Sequence, residues 1–293
     1  MLLNPKDYTY EYFHQPRGED GFSEAIYLGT PCKDELCPIL IKSAYYSDAI
    51  NEFIGCNIGQ RIGVNTPKAW LFNPKGTSKQ SKINFYRAVG IEYLEGFNEG
   101  DENGSFENEE LAKQTIKGKI FHLLMGDYDN RSLALCNGKI YAYDFADGMY
   151  PKGMGIKLIS DFFTKRNKHG FTEYEHRMMA HEEFARGEIR AYRYGLRNER
   201  DQMDLWPVVY TELRDSLMKE YEKNGFEDLI MEIRTVFSED AAMYVRDLIK
   251  STLSMMEDFL CLDGVYFRMD DGVLLMIDKE KADQYEMVDE DSL

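Results

Sequence analysis

Apolar and polar residues alternate differently in the two halves of the chain. Up to about residue 145, many apolar residues stand in short runs rich in aromatic and β-branched side chains, which are typical of strands. Beyond about residue 150, they recur mainly at the three- and four-residue spacing of amphipathic helices. These patterns predict strands at residues 8–13, 24–28, 38–42, 68–72, 83–94, 132–135 and 139–143. They predict helices at 51–63, 111–125, 205–221, 226–237 and 240–262, and a last hairpin at 265–277.

An acidic, glycine-containing stretch at residues 98–109 interrupts this pattern and indicates an exposed connection between two lobes. It divides the chain into an N-terminal lobe, residues 1–97, and a C-terminal lobe, residues 98–293. The first lobe holds strands and one helix, and the second holds a hairpin followed by helices. The predicted fold class is therefore α+β, with a small β-rich N-lobe and a mainly helical C-lobe.

An Asn137-Gly138 pair between two apolar runs is a strong hairpin signal. Such a hairpin brings the loop before its first strand close to the loop after its second. Four carboxylates then gather at one end of the hairpin: Asp127, Asp129, Asp144 and Asp147. Carboxylates this close repel each other unless a cation offsets the repulsion, so one interpretation is a divalent metal with phosphate. The alternative is two ordinary loops that use Asp as turn and cap residues.

Lys42 ends an apolar strand, and Glu52 lies ten residues later, where we expect the first turn of a helix capped by Asp48. A strand lysine paired with a helix glutamate is the arrangement that protein kinases use to orient ATP phosphates. The alternative is a lysine whose tip reaches solvent. Upstream, the glycine-bearing turn at residues 17–23 either lets backbone amides approach phosphate or is an ordinary turn.

Composition and net charge limit the kinds of partner and the cellular setting that we expect for the protein. The chain has 293 residues and a net charge of −17, which argues against a nucleic-acid surface. No apolar run is long enough to span a membrane. Five scattered cysteines fit reduced thiols of a cytoplasmic protein better than a disulfide framework.

Taken in order, these features resemble the HipA-like kinases, relatives of the phosphatidylinositol-kinase branch of the protein-kinase fold. The resemblance covers roughly residues 10–260 and rests on the strand triplet ending in Lys42, the Glu52 helix, the segment at 91–96, and the motifs at 126–131 and 143–147. It implies a two-lobed, protein-kinase-like fold. It also implies ATP and magnesium (Mg2+) as ligands.

The resemblance assigns roles residue by residue. Asp129 matches the catalytic aspartate, Asp144 the metal aspartate, and Lys42 with Glu52 the phosphate lysine and its partner. The adenine hinge falls on Ile91, Glu92 and Leu94, and the loop above the phosphates contains Gly21 and Ser23.

One position departs from the family pattern. The metal-binding Asn that follows the catalytic Asp by five residues is Ala134 here, and Asn130-Arg131 replaces Arg-His. A methyl group cannot coordinate a metal. Either Asp127 or Asn130 supplies the missing oxygen, which gives Asp127 both a catalytic and a metal-binding assignment, or catalysis is weak or absent.

The resemblance therefore implies an ATP- and Mg2+-dependent serine/threonine protein kinase. Its acceptor is a protein hydroxyl, the chain itself included, with Ser23 as a candidate autophosphorylation site. An antitoxin-like partner protein is a further implication of the family. Two alternatives remain: a pseudokinase that binds nucleotide or a partner protein, which Ala134 favours, and a small-molecule phosphotransferase that differs only in its acceptor pocket.

Overall fold

A computed structural model describes the chain at residues 2–14, 26–43, 46–73, 75, 83–97, 109–126, 132–146, 148, 166, 168, 170, 205–260, 266–270 and 273–277. Within these residues an antiparallel sheet occupies the N-terminal part, and helices make up most of the C-terminal part. The predicted α+β class, β-rich at the N-terminal end and mainly helical afterwards, is confirmed.

The sheet has five antiparallel strands in the order β1-β2-β3-β5-β4. Their bounds are β1 Tyr8–His14, β2 Ile26–Pro31, β3 Ile39–Ser43, β4 Ala69–Leu71 and β5 Ala88–Glu92. The edge strand β4 is covered by Leu3, which donates its backbone N–H to Leu71 at 2.9 Å and accepts from that of Asn73 at 2.7 Å. The strand β3, which carries Lys42, is central, so hydrogen bonds to β2 and β5 fix its backbone on both sides.

Two helices pack beside the sheet and the hairpin. Helix α1 spans Tyr46–Arg61 and helix α2 spans Glu109–Leu124. Helix α1 begins earlier than expected: Asp48 lies inside its first turn instead of capping it, and Glu52 lies in the second turn. The spacing of apolar residues did not indicate this start, because Ser47 and Asp48 are polar although they are almost fully buried.

The predicted hairpin is confirmed, with β6 at Leu133–Cys136 and β7 at Lys139–Ala142. Asn137 and Gly138 both have positive φ, 49° and 74°, as a two-residue type I′ turn requires. Asn65 anchors β7, since its carbonyl accepts from the N–H of Ala142 at 2.9 Å and its amide donates to the carbonyl of Ile140 at 3.1 Å.

The C-terminal helices are α3 Leu205–Asn224, α4 Glu227–Val236 and α5 Glu239–Leu260, followed by β8 Tyr266–Asp270 and β9 Val273–Ile277. Helix α4 is tied to its neighbours through its first turn: Arg61 of helix α1 binds Asp228, and Arg246 of helix α5 binds Glu227 at 2.8 Å. All three helices and the last hairpin lie close to their predicted positions. None of the described helices is long and apolar enough to cross a membrane.

Two strand predictions need correction. Strand β2 continues through Gly29, Thr30 and Pro31, which were expected to be loop, because these residues pair with Tyr10, Thr9 and Tyr8 of β1. The strand predicted at 83–94 begins only at Ala88. Before it, Phe85–Arg87 forms a 3-10 turn whose N-cap, Asn84, accepts a hydrogen bond from the N–H of Tyr86 at 3.2 Å.

The buried apolar residues form two clusters. A small cluster lies against one face of the sheet and contains Ile39, Ile41, Phe72 and Phe85. A much larger cluster joins helix α1 to helix α2, the β6–β7 hairpin and helices α3 to α5. The division at residues 97 and 98 stays a prediction.

Candidate active site

Lys42 lies between two carboxylates that come from distant parts of the chain. Its Nζ donates to Oε1 of Glu52 on helix α1 and, at 2.5 Å, to Oδ1 of Asp144, just after strand β7. The side chain of Glu52 is 1% exposed and that of Lys42 17%, whereas that of Asp144 is 46% exposed. The cluster is therefore closed on the helix side and open at Asp144, and the alternative of a lysine tip in solvent is wrong.

Burial and the neighbouring charges shift the pKa values of these three side chains in opposite directions. Burial lowers the pKa of Lys42, but Glu52 and Asp144 outweigh it and hold this pKa well above its ordinary value. Burial raises the pKa of Glu52 to about 7, although Lys42 works against that rise. The charge of Lys42 lowers the pKa of Asp144 despite partial burial. At neutral pH the site thus holds a charged lysine and an ionised, accessible aspartate.

The segment Asp144–Gly148 follows β7 and is held against helix α1. Asp144 has a positive φ of 59°, which a non-glycine residue rarely adopts. The N–H of Phe145 donates to Oε2 of Glu52 at 3.1 Å, and the amide of Asn51 donates to the carbonyl of Ala146 at 3.0 Å. Glu52 therefore binds both the lysine and the backbone beside Asp144.

Phe145 inserts its fully buried ring between helices α1 and α2. The ring stacks on His122 with centroids 4.5 Å apart and meets Phe121 edge-on at 5.5 Å. A Cβ at Gly55 would lie 2.4 Å from Cγ of Phe145, so only glycine permits this approach. The ring anchors the backbone next to Asp144 to two helices at once.

Ser132 connects the site to the acidic loop predicted before the hairpin. Its carbonyl accepts from the N–H of Tyr143 at 3.0 Å and contacts Nε2 of His122 at 3.2 Å. Because Tyr143 directly precedes Asp144, Ser132 lies beside the segment that carries Asp144; whether Asp127 and Asp129 face Asp144 stays a prediction. Asp127, Asp129 and Asn130 themselves lie outside the described residues.

Of the predicted hinge residues, Ile91 lies on the same face of the sheet as Lys42, whereas Glu92 pairs with Ile39 and lies on the other face. Lys42 pairs with Val89 and Leu40 with Ile91, and directly paired residues point to one face. At the end of β5, the N–H groups of Glu92 and Tyr93 are bound by the carbonyls of Lys68 and Pro38 at 2.8 and 3.1 Å. Leu94 follows and is half-buried.

Gly21, Ser23 and the position of Ala134 remain to be placed. Gly21 and Ser23 lie outside the described residues. Ala134 belongs to strand β6, pairs with Tyr141 and is 1% exposed. Within the described part of the chain, no three His, Cys, Asp or Glu side chains are grouped so that they would hold a metal. In the described cluster, Asp144 carries the accessible carboxylate.

Three positioning residues of the site escaped the sequence reasoning: Asn51, His122 and Phe145. Helical spacing marked Phe53 and Ile54 as core but gave no reason to single out the adjacent Asn51. His122 gave no signal beyond being a polar residue among the apolar residues of helix α2. The position of Phe145 directly after Asp144 was the one signal in the sequence that could have indicated its role.

No protein-family model and no curated protein sequence matches the chain. Among solved structures, it is similar to the crystal structure of the Helicobacter pylori proinflammatory kinase CtkA, with 12% sequence identity and a TM-score of 0.44. The similarity covers 83% of this chain and 92% of that one. A likeness this distant says nothing about substrate or activity, which must be inferred from the site residues themselves.

Proposed function

We propose that the chain is an ATP- and Mg2+-dependent phosphotransferase, with a serine or threonine hydroxyl of a protein as acceptor. One observation carries the proposal: Lys42 of a central strand contacts both Glu52 of the neighbouring helix and Asp144 of a separate hairpin. Phosphoryl transfer needs a fixed cation for the phosphates and a metal carboxylate close by, and this cluster supplies both.

Asp144 fits a role as Mg2+ ligand. Mg2+ prefers hard, anionic oxygen ligands, and the carboxylate of Asp144 is half-exposed with a pKa lowered by Lys42. When bound, Mg2+ would neutralise charge on the phosphates of ATP. Glu52 is too deeply buried to meet a solvated metal, and its role is to hold Lys42 in place.

The sheet face that carries Lys42 supports binding of a base. Paired residues of β2, β3 and β5 place Ile26, Leu28 and Leu40 on that face, and all three are only half-buried. A partly exposed apolar face next to a charged cluster suits a ligand with a flat ring at one end and phosphates at the other. We therefore assign the base to this face and to Ile91, Glu92 and Leu94.

In the transfer step, an acceptor hydroxyl oxygen bonds to the γ-phosphorus of ATP while the bond to the β–γ bridging oxygen breaks. The hydroxyl proton passes to Asp129, which lies three residues before Ser132 in sequence. ADP leaves with the bridging oxygen. Lys42 binds phosphate oxygens, so the chain's own residues act mainly by alignment and charge.

Lys42→Met tests the proposal because methionine keeps the apolar stem and removes the charge. Lys139→Met, on the exposed side of the hairpin, is the matched control. A charge-assisted contact is worth roughly 1.5–3 kcal/mol, so ATP affinity measured by calorimetry should fall about tenfold to a hundredfold in Lys42→Met alone. Equal affinities in both variants and in the wild type would refute the phosphate role.

A pseudokinase is the second candidate, favoured by the buried Ala134 in strand β6. Such a protein would bind Mg2+-ATP without transferring phosphate. Labelled-phosphate transfer by the wild type, to itself or to protein from its host, separates the two candidates. Binding without any transfer would favour the pseudokinase.

The setting we propose is cytoplasmic, with a protein substrate, the chain itself among the candidates, and an antitoxin-like protein as partner. Cys32, Cys37, Cys56 and Cys136 are free thiols, as a reducing compartment permits. Copurification from the native host, followed by mass spectrometry, would identify a stable partner. Ser23 is the first position at which to look for phosphate.

A further inference from the structure

Two consecutive residues of helix α1 hold the backbone of the two residues that follow Asp144. Glu52 accepts from the N–H of Phe145 at 3.1 Å, and Asn51 donates to the carbonyl of Ala146 at 3.0 Å. Because a carbonyl can only accept, the amide nitrogen of Asn51 must face Ala146. Asn51 is 2% exposed, so this contact is shielded from water.

Asp144 adopts a conformation that its surroundings must enforce. A φ of 59° places it in the left-handed region, where a residue with a Cβ is strained. Such strain persists only when neighbouring contacts over-determine the backbone. The hydrogen bonds to Glu52 and Asn51 follow directly after the strained residue and resist its relaxation.

Gly148 lies next to both the carbonyl of Phe145 and the side chain of Asn51. Its N–H donates to the carbonyl of Phe145 at 3.0 Å, which folds the segment into a tight turn. A Cβ at this position would lie 3.0 Å from that carbonyl oxygen and 3.2 Å from Cγ of Asn51. A methyl group at this position would therefore crowd both the carbonyl of Phe145 and the side chain of Asn51.

We propose that Asn51 is a positioning residue for Asp144: it holds the segment Asp144–Gly148 on helix α1 and so directs the carboxylate of Asp144 toward Mg2+. The metal role of Asp144 rests on the function proposed above, whereas the holding of the segment does not. Asn51 touches neither nucleotide nor metal in this assignment. Its effect passes through the backbone of Ala146 and Phe145.

Asn51→Leu tests this role, since leucine has nearly the same size and cannot donate. Asn57→Leu is the matched control: Asn57 lies on the same helix and donates to the carbonyls of Phe53 and Ala69 at 2.8 and 2.9 Å, away from Asp144. Losing one net hydrogen bond corresponds to about a three- to tenfold change in a local equilibrium. Amide hydrogen exchange at residues 145–148 of the ligand-free protein should accelerate by this factor in Asn51→Leu and stay unchanged in Asn57→Leu.

The second measurement is the gain in ATP affinity on adding Mg2+. It should shrink about three- to tenfold in Asn51→Leu, with Mg2+-free binding of ATP retained and Asn57→Leu like the wild type. Equal exchange rates in the two variants, or faster exchange with an unchanged Mg2+ effect, would overturn the positioning role. A wild type without any Mg2+ effect would refute the proposed function and the metal-directing role, while the exchange data would still decide whether Asn51 holds the segment.

Gly148→Ala disturbs the contact without changing Asn51 and serves if Asn51→Leu does not fold. The added methyl group must displace Asn51 or the carbonyl of Phe145. We expect the same pair of changes, faster exchange at residues 145–148 and a smaller Mg2+ effect. Wild-type values of both quantities in Gly148→Ala would count against the proposal.

Discussion

Lys42→Met should make the stability of the protein depend more steeply on pH above neutrality. The charged Nζ of Lys42 contacts the buried carboxylate of Glu52 and, at 2.5 Å, that of Asp144. Removing one partner of a buried ion pair usually costs about 3–5 kcal/mol because the other charge is stranded. Glu52 has a way to avoid that cost, since it can take up a proton instead.

The sign follows from the Glu52 pKa, which burial raises from 4.5 to about 7 in the wild type. A raised carboxyl pKa means that the folded state binds a proton which the unfolded state has lost. Stability therefore falls between about pH 4.5 and 7, by roughly 3 kcal/mol, and then levels off. Without Lys42 the Glu52 pKa rises further, so the fall continues above pH 7 at about 1.4 kcal/mol per pH unit.

Urea unfolding followed by circular dichroism at pH 5, 6, 7, 8 and 9 measures this dependence. The curves of wild type and Lys42→Met should diverge above pH 7, and adding Glu52→Gln to Lys42→Met should remove the divergence. Lys139→Met controls for the lost surface charge and should run parallel to the wild type. A constant offset between wild type and Lys42→Met across this pH range would show that Lys42 does not neutralise Glu52.

Three further results are expected. Gly55→Ala should cost about 1–3 kcal/mol in urea unfolding, because its Cβ would meet Phe145 at 2.4 Å; unchanged stability would contradict that packing. Asp144→Asn should abolish the gain in ATP affinity on adding Mg2+ but leave Mg2+-free binding, both measured by calorimetry; if the gain persists, the metal lies elsewhere. Asp129→Ala should abolish labelled-phosphate transfer, and Asp127→Ala should do so nearly as completely if Asp127 supplies a metal oxygen; full activity of Asp127→Ala would exclude that role.

Local signals in the sequence predicted the elements that depend on local chemistry. The Asn137-Gly138 pair fixes a turn with two positive φ angles, so the hairpin and its register followed from a dipeptide. Lys42, Glu52 and Asp144 were matched through their order along the chain, and the structure brings the three together. Order was informative here because each residue stands at the end of a strand or on a helix that could itself be predicted.

Features that depend on contacts between distant segments could not be predicted in this way. Asn51 is polar and almost fully buried, and its amide donates a hydrogen bond to the carbonyl of Ala146, 95 residues later. The start of helix α1 was misplaced for a similar reason, since its first turn buries Ser47 and Asp48 against the rest of the protein. A periodic pattern interprets buried polar residues as exposed ones, and it fails at the residues that assemble a site.

The large apolar cluster has a consequence for biosynthesis. Helix α1 contributes Phe53, Ile54 and Ile58 to it, and the residues of helix α3 in the same cluster begin at Val209, about 150 residues later. At 5–20 residues per second, a ribosome needs roughly 7–30 s to make that intervening stretch. During this time helix α2 and Phe145 can already pack on the helix that carries Glu52, but the part of its apolar face that packs on helices α3 to α5 stays uncovered. A polypeptide truncated at residue 97 leaves this apolar face without the segments that cover it and is therefore expected to aggregate.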